Sequence, residues 1–375
     1  MVAAVPTTHR WPTTYSTGGM VCSVDHLASS AGAEILAAGG SAVDAAVATS
    51  AVLAVTTPHM CGMGGDLFAL VHHQEGPPEA LDAAGRAGSG ADADRLRAEG
   101  HDEIPFHGDV RAAPVPGCVD GWCALLDRHG RLPPAQVLDP AHRLAEGGFP
   151  AAPMLAFMLA DLDGVEDCDE LARARPEVGE RVLRPELART LAAVADGGRD
   201  GFYAGSFGAA LVEVGAGEYH ASDLRDAAAT WVDPLGLRAW GHDLWTIPPV
   251  SQGYIALASA WMAERLGGDA LPAPDDATWA HLMVEVSRLA AADRPEVLHE
   301  EAEGSALLDP ARLAVAAARF NPDRAMPVRP PTQGDGNMRL TVVERDGTSW
   351  SADVSPETLR VTALGALGVG ATVNL

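Results

Sequence analysis

The sequence predicts an α/β protein in which strands and helices form layers, and three local patterns near the N-terminus carry this prediction. A short apolar run at residues 20–24 is typical of a strand, and it leads into a helix near His26 that ends at a glycine pair. Ser41, with Asp44 three residues later, forms the capping-box pattern that begins a second helix. After a glycine cluster, the apolar run 67–71 is short and bounded by turn signals, as in a buried strand.

The rest of the chain continues the alternation of strands and helices. Residues 80–82 are predicted to return beside 67–71 as the partner strand of a hairpin. The remaining predicted elements are a helical insertion at about 116–211, a strand at 244–247, helices at about 253–266 and 276–292, a loop at 321–337 and a β-hairpin at 338–354. No repeat or low-complexity tract interrupts this order, so we predict a single domain over residues 1–375.

The charge balance excludes two classes of partner. The chain has 51 acidic and 26 basic residues, a net charge of −25 and an isoelectric point near 4.7. Binding to nucleic-acid phosphates or to anionic lipid needs clustered Lys and Arg, so we predict no nucleic-acid partner and no membrane surface. With 47% hydrophobic and 21% charged residues, the composition is that of a folded globular protein.

The sequence also predicts a cytoplasmic protein without a metal or cofactor. Residues 1–10 lack the apolar stretch of a secretion signal, and the apolar run 45–55 is too short to span a bilayer. The five cysteines form no Cys-x-x-Cys pair and have no histidine at zinc-finger spacing, so we expect reduced thiols. The neighbouring His72 and His73 would point to opposite faces of a strand, and we expect both on the surface and not as metal ligands.

Short sequence blocks spread along the chain match, in order, the motifs of one protein family. The blocks are Leu27-Ala28-Ser29, Gly39-Gly40-Ser41-Ala42-Val43-Asp44, Pro58-His59-Met60-Cys61-Gly62-Met63-Gly64-Gly65-Asp66, Gly85-Arg86-Ala87, Val115-Pro116-Gly117-Cys118-Val119-Asp120-Gly121-Trp122, Gly201-Phe202-Tyr203-Ala204-Gly205 and Pro248-Pro249-Val250-Ser251-Gln252-Gly253. Together they resemble the γ-glutamyltransferase (γ-glutamyltranspeptidase) family of N-terminal-nucleophile (Ntn) hydrolases, from about residue 19 to residue 350.

The resemblance implies a fold and a reaction. The implied fold is a four-layer αββα sandwich of the Ntn-hydrolase type. Family members are made as one precursor that cuts itself immediately before a threonine, and the new N-terminal threonine is the nucleophile with its own α-amine as base. The implied reaction moves a γ-glutamyl group from a glutathione-like donor to water or to an amino acid.

The expected nucleophile is replaced in this sequence. In the family, the catalytic threonine opens the strand that runs into a Val-Val-Asp-x-Asp-Gly turn, and counting back from Val342 and Val343 places Asn337 at that position. An asparagine amide is not a nucleophile at neutral pH and cannot drive the self-cleaving acyl shift. Thr341, inside the predicted strand, and Thr332 are alternatives that would require a shift in register. We therefore predict no autoprocessing.

The sequence departs from the family a second time after residue 337. The 375-residue chain has 38 residues beyond Asn337, whereas the small subunit of the family is a substantial half-domain. We therefore expect a truncated C-terminal part, without the Ser-Ser segment that grips the substrate carboxylate and without the Gly-Gly pair of the oxyanion hole. A sandwich shortened in this way would expose sheet edges, so we expect a homo-oligomer or a partner chain that completes the sheet.

Two residues in the matched blocks are candidates for function. Arg86 stands at the arginine that in the family pairs with the substrate α-carboxylate, a task that suits the planar fork of a guanidinium. His59 lies near Cys61 and could form a Cys/His pair, although a reactive cysteine also needs a lowered pKa and a third, orienting group. The competing interpretation is that His59 and Cys61 only turn a loop into a buried strand.

Three functions are compatible with these observations. We favour a repurposed enzyme that acts on a small amino-acid-like carboxylate without an N-terminal threonine. The alternatives are a catalytically inactive homologue, which serves as a partner subunit or binds small carboxylates, and an active γ-glutamyl hydrolase or transferase that uses a displaced threonine.

Overall fold

The molecule, analysed as a computed structural model, is described over residues 15–73, 75–105, 109–159, 169–172, 175–226, 228–268, 271–327, 338–343 and 349–354. Asn337 and Thr332 lie outside these residues. Among the described residues, no helix combines the length and the apolar character that crossing a membrane requires.

The strands form one large sheet and two small ones. The strands are β1 (Met20–Cys22), β2 (Leu67–His72), β3 (Glu79–Ala83), β4 (Phe149–Pro150), β5 (Arg181–Val182), β6 (Thr230–Val232), β7 (Leu235–Ala239), β8 (His242–Thr246), β9 (Met338–Val343) and β10 (Ser349–Val354). The large sheet has the order β1-β9-β10-β2-β3-β6, and every neighbouring pair in it is antiparallel. The pairs β4–β5 and β7–β8 form separate two-stranded sheets.

Helices account for most of the remaining regular structure. They are α1 (His26–Ala37), α2 (Ala42–Thr56), α3 (Ala93–Ala98), α4 (Cys118–His129), α5 (Pro134–Gly147), α6 (Pro153–Leu159), α7 (Asp169–Ala172), α8 (Pro185–Tyr203), α9 (Ser206–Val214), α10 (Tyr254–Gly267), α11 (Ala277–Ala290), α12 (Arg294–Val297), α13 (Gly304–Leu307) and α14 (Pro310–Ala317). A short 3₁₀ turn covers Val110–Ala112.

The register of the large sheet defines two ends. Met338 pairs with Val354 and Leu67 pairs with Ala83, so β9 and β2 begin where β10 and β3 end; we call this the site end. At the opposite end, which we call the distal end, Ser349 pairs with both Val343 and His72. Segments that are far apart in sequence therefore meet at each end.

Helix α2 is the centre of the main core. All fifteen of its residues are buried, and they are almost entirely Ala, Val and small polar residues, which allow close packing on every side. Its start confirms the predicted capping box: the Ser41 hydroxyl accepts from the Asp44 amide at 3.0 Å, and the Asp44 carboxylate accepts from the Ser41 amide at 2.7 Å. The helix packs against α1, α4, α5 and the strands β9 and β10.

The described part of residues 116–211 is mostly helical, with the short strand pair β4–β5 inside it, and it shares the main core. Helices α4 and α5 pack on α2, and α8 packs on α4 and α5, with Trp122 and Leu125 fully buried among them. These helices therefore lie in the same layer as α2, beside one face of the large sheet.

A second layer of sheet and helix lies on the opposite side. Phe68 and Ala80 of the large sheet form a small apolar cluster with Ile247, the residue directly after β8. The β7–β8 hairpin in turn packs against α10, which forms a second core with α11 and α14. The described layers thus run helix, sheet, sheet, helix.

Candidate functional site

The loop after β3 brings Arg86 to the site end of the large sheet. Arg86 lies three residues beyond Ala83, and its backbone forms an isolated antiparallel bridge with Val115, whose amide donates to the Arg86 carbonyl at 2.7 Å. Gly85, the residue before Arg86, has φ +83°, and a Cβ atom there would lie 2.1 Å from the Val115 carbonyl oxygen. Glycine is therefore required for this turn, and the turn aims the arginine.

The guanidinium of Arg86 contacts a distant loop. Its Nη2 donates to the backbone carbonyl of Asp223 at 2.6 Å and to that of Asp226 at 3.2 Å. The same loop is held by Ser89, whose amide and hydroxyl each donate to the Asp223 carboxylate at 3.0 Å. Arg86 is thus a fixed cation between the end of β3 and residues 223–226.

A second arginine, which sequence analysis did not single out, lies beside Arg86. The Nη2 of Arg199 donates to the same Asp226 carbonyl at 2.6 Å, and its Nε donates to the carboxylate of Asp120 at 3.0 Å. Asp120 is buried in the first turn of α4 and also accepts from the amides of Ala228 and Ala229. Asp120 stands in one of the matched blocks, but Arg199 is 79 residues further on, and no local pattern connects the two.

The start of α4 is also held at the site end. The amides of Gly117 and Cys118 donate to the Gly65 carbonyl at 2.9 and 2.8 Å, which connects the glycine-rich loop before β2 to the helix. A Cβ atom on Gly117 would lie 2.0 Å from the Ala83 carbonyl oxygen, so the close approach of the two segments requires glycine. The matched blocks at residues 58–66, 85–87 and 115–122 therefore converge here.

His59 is a buried imidazole in the loop between α2 and β2. It is only 3% exposed, and burial lowers its pKa to about 4, against a smaller opposing effect of Asp25. Its Nδ1 has no hydrogen-bond partner among the described residues. His59 is therefore neutral at pH 7 and closed off from solvent.

The nearby thiols are in a protonated, unreactive state. Burial raises the pKa of Cys61 to about 12, although a side-chain contact with Thr57 at 3.5 Å partly opposes the rise. Burial also raises the pKa of Cys118 well above its ordinary value. A nucleophilic cysteine needs the opposite shift, so this geometry gives no support to a Cys/His pair of His59 and Cys61.

The described strand β9 shows where the threonine alternative lies. Thr341 pairs with Cys22 of β1 on one side and with Ser351 of β10 on the other. It is the fourth residue of a strand that begins at Met338, directly after Asn337.

Among the described residues, three side chains converge as metal ligands would, and they lie at the distal end: His73, Glu79 and His129.

Comparison with known proteins identifies the family. The sequence profile described as Gamma-glutamyltranspeptidase matches residues 28–365. The glutathione hydrolase-like YwrD proenzyme of Bacillus subtilis is 33% identical over 347 residues, which are 88% of this chain and 65% of the relative. The oxamate amidohydrolase proenzyme of Klebsiella pneumoniae is 35% identical over 331 residues, which are 83% of this chain and 62% of the relative. The chain thus spans somewhat less than two thirds of the length of these relatives.

Solved structures share the fold. The cephalosporin acylase of Bacillus halodurans superposes with a TM-score of 0.80 at 28% identity, over 97% of this chain and 72% of the acylase. The γ-glutamyltranspeptidase of Helicobacter pylori gives a TM-score of 0.77 at 26% identity, over 84% of this chain and 95% of that one. These neighbours confirm the predicted Ntn-hydrolase fold class. The chain belongs to the γ-glutamyltranspeptidase family.

Proposed function

We propose that this chain binds a small amino-acid-like carboxylate at the site end of the large sheet and stays in one piece. It would then be a repurposed family member that acts on its ligand without an N-terminal threonine. The observation that carries the proposal is the identity of residue 337: an asparagine stands directly before β9, where the resemblance places the threonine of the family.

The position of β9 in the sheet supports an uncut chain. An N-terminal nucleophile needs a free α-amine beside its hydroxyl, and the amine exists only after the chain is cut. Thr341 lies inside a strand with neighbours on both sides, so a cut before it would separate residues 338–340 from the rest of β9. Such a cut would break the backbone in the interior of the sheet.

The charges at the site end support a carboxylate ligand. The chain as a whole has a net charge of −25, yet Arg86 and Arg199 meet at one carbonyl oxygen of Asp226. Arg199 is already paired with the buried carboxylate of Asp120, so we assign the carboxylate ligand to the guanidinium of Arg86. Guanidinium groups bind carboxylates through charge-assisted hydrogen bonds.

The names of the relatives support the class of ligand. One relative is named for glutathione and another for oxamate, and both of these compounds are small carboxylates that contain an amide bond. We extend this class to the present chain: a small carboxylate with an amide group close to the acid.

A binding experiment tests the proposed role of Arg86. The full chain is titrated with oxamate and with L-glutamate by isothermal titration calorimetry, and we expect the Arg86→Ala variant to bind about 10- to 100-fold more weakly. This range corresponds to about 1.5–3 kcal/mol for hydrogen bonds to a charged group. Arg86→Lys keeps the charge but loses the planar fork of the guanidinium, so its affinity should lie between those of the unsubstituted chain and Arg86→Ala.

Ser89→Ala is the matched control for this experiment. The substitution removes a hydroxyl that holds Asp223 but leaves the cation in place, so it reports on the loop alone. Unchanged affinity in Arg86→Ala would contradict the assignment. Equal weakening in Ser89→Ala and Arg86→Ala would also contradict it, because the loop and not the charge would then decide binding.

The protonation state of the buried groups favours a second candidate, carboxylate binding without any reaction. The neutral His59 and the protonated Cys61 and Cys118 provide no activated nucleophile beside the described part of the site. Assays of γ-glutamyl-p-nitroanilide hydrolysis and of ammonia release from oxamate separate the two candidates. Turnover by the uncut chain supports the repurposed enzyme, whereas binding without turnover supports the binding protein.

A further inference from the structure

Three side chains of metal-ligand type meet at the distal end of the large sheet. His73 directly follows β2, Glu79 opens β3, and His129 is the last residue of α4. One ligand atom from each side chain lies within 4.8 Å of the other two. His73 and Glu79 flank the β2–β3 turn, whereas His129 is 50 residues beyond Glu79 in the chain and is brought to them by the fold.

The distances from Glu79 to the two histidines match a coordination shell better than a pair of hydrogen bonds. The Oε1 atom of Glu79 lies 3.4 Å from Nε2 of His73 and 3.5 Å from Nε2 of His129. Hydrogen bonds between nitrogen and oxygen are about 2.7–3.2 Å long. Bonds of about 2.0–2.1 Å to a tetrahedral Zn²⁺ instead place neighbouring ligand atoms about 3.3–3.4 Å apart.

The cluster is already held in place by its surroundings. Arg128 forms an ion pair with Oε2 of Glu79, which leaves Oε1 directed between the two imidazoles. The guanidinium of Arg128 lies 4.3 Å from the ring centre of Trp231, and the ring of His129 meets the same indole edge-on at 5.5 Å. Nε2 of His129 is buried and has no hydrogen-bond partner among the described residues.

We propose that His73, Glu79 and His129 form a binding site for a divalent transition-metal ion, with Zn²⁺ as the best-matched ion. Imidazole and carboxylate donors suit Zn²⁺, and three protein ligands leave a fourth tetrahedral position for water. A bound ion would join the β2–β3 turn to the C-terminal end of α4. Sequence analysis predicts no metal site, because neither Glu79 nor His129 is close to His73 in a recognisable spacing.

The metal site is separate from the carboxylate site. Helix α4 runs from the site end, where Gly117 contacts Gly65, to the distal end, where His129 meets Glu79. Its twelve residues correspond to a length of about 18 Å. The ion would therefore stabilise the fold at one end without touching a ligand at the other, and failure of either proposal leaves the other intact.

Metal titration of the full chain tests the proposal. After treatment with a chelator and its removal, the chain is titrated with ZnCl₂ by calorimetry and with CoCl₂ by visible absorption. We expect one ion per chain, the strong visible bands of four-coordinate Co²⁺, and a higher melting temperature with Zn²⁺. Absence of saturable binding, or a stoichiometric site without the four-coordinate Co²⁺ spectrum, would contradict the site.

Single substitutions locate the ion. We expect Glu79→Gln, His129→Gln and His73→Gln each to weaken Zn²⁺ binding by at least about tenfold. The His73 side chain is 51% exposed, so His73→Gln should fold normally even if a substitution of the more buried His129 does not. His72→Gln is the matched control, because His72 bonds instead to the Gly76 carbonyl at 3.1 Å. Affinity that stays unchanged in His73→Gln, or that falls equally in His72→Gln, overturns the proposal.

Discussion

Two carboxylates lie near opposite ends of α4, and each is paired with an arginine. They differ in how many of their hydrogen-bond acceptors are in use. Asp120, in the first turn, accepts from Arg199 and from two backbone amides, and its side chain is only 6% exposed. Glu79, beside the last turn, is paired with Arg128, but its other oxygen has two imidazole nitrogens at 3.4 and 3.5 Å. The Glu79 side chain is 31% exposed.

This difference separates a structural ion pair from a ligand site. Asp120 is buried and already accepts three hydrogen bonds, so it is closed to a ligand, and its loss leaves an uncompensated cation and two unpaired amides. A partly exposed carboxylate with an oxygen between two imidazoles retains the capacity for a ligand. The fold therefore depends on Asp120, whereas Glu79 is available for an ion.

The largest effect that this comparison predicts is on stability. We expect Asp120→Ala to lower the free energy of unfolding by about 3–5 kcal/mol, because it breaks a buried pair on one side only. Glu79→Ala, measured without metal, should lower it by at most about 1 kcal/mol, as is usual for exposed pairs. Urea denaturation of the two variants measures both values. Equal losses would remove the distinction between the two ends.

A second effect distinguishes a buried histidine from an exposed one. The pKa of His59 is about 4 in the folded chain, below the ordinary value of 6.5, so between these values the unfolded chain binds a proton that the folded chain does not. Stability should therefore fall as the pH drops from 6.5 to 4, with a contribution from His59 of up to about 3 kcal/mol.

Substitution of His59 isolates this contribution. In His59→Gln the loss of stability between pH 6.5 and pH 4 should be smaller than in the unsubstituted chain. His73→Gln, a substitution at an exposed position, is the control and should show most of the loss that the unsubstituted chain shows. Urea denaturation at several pH values gives the slopes. Parallel slopes in His59→Gln and the unsubstituted chain would show that His59 is not held neutral by burial.

Local patterns in the sequence were sufficient for several of the elements and for some of their ends, but not for β7, the partner strand of β8. The capping box of Ser41 and Asp44 was predictable because it involves four consecutive residues, and β2 was predictable from a short apolar run between turns. Family motifs placed Arg86, since the glycine before it is part of the same block. All of these signals lie within a few residues of the feature that they predict.

The contacts that assemble each end were not predictable in this way. Arg199 reaches Asp120 from 79 residues away, and His129 lies 50 residues beyond Glu79. Each pair depends on how α4 and α8 pack beside the large sheet, which no single segment encodes. The same limit explains why His73 was not predicted as a metal ligand. The other two proposed ligands, Glu79 and His129, lie on different elements of the fold.

The most direct test of the proposed function is the intact mass of the purified chain, measured together with its N-terminal sequence after prolonged incubation. If Asn337 removes self-cleavage, the chain gives a single species near 38.8 kDa with one N-terminus. Two fragments, with a new N-terminus at Thr332, Thr341 or Asn337 itself, would contradict this account and would show that the family reaction persists with a displaced nucleophile.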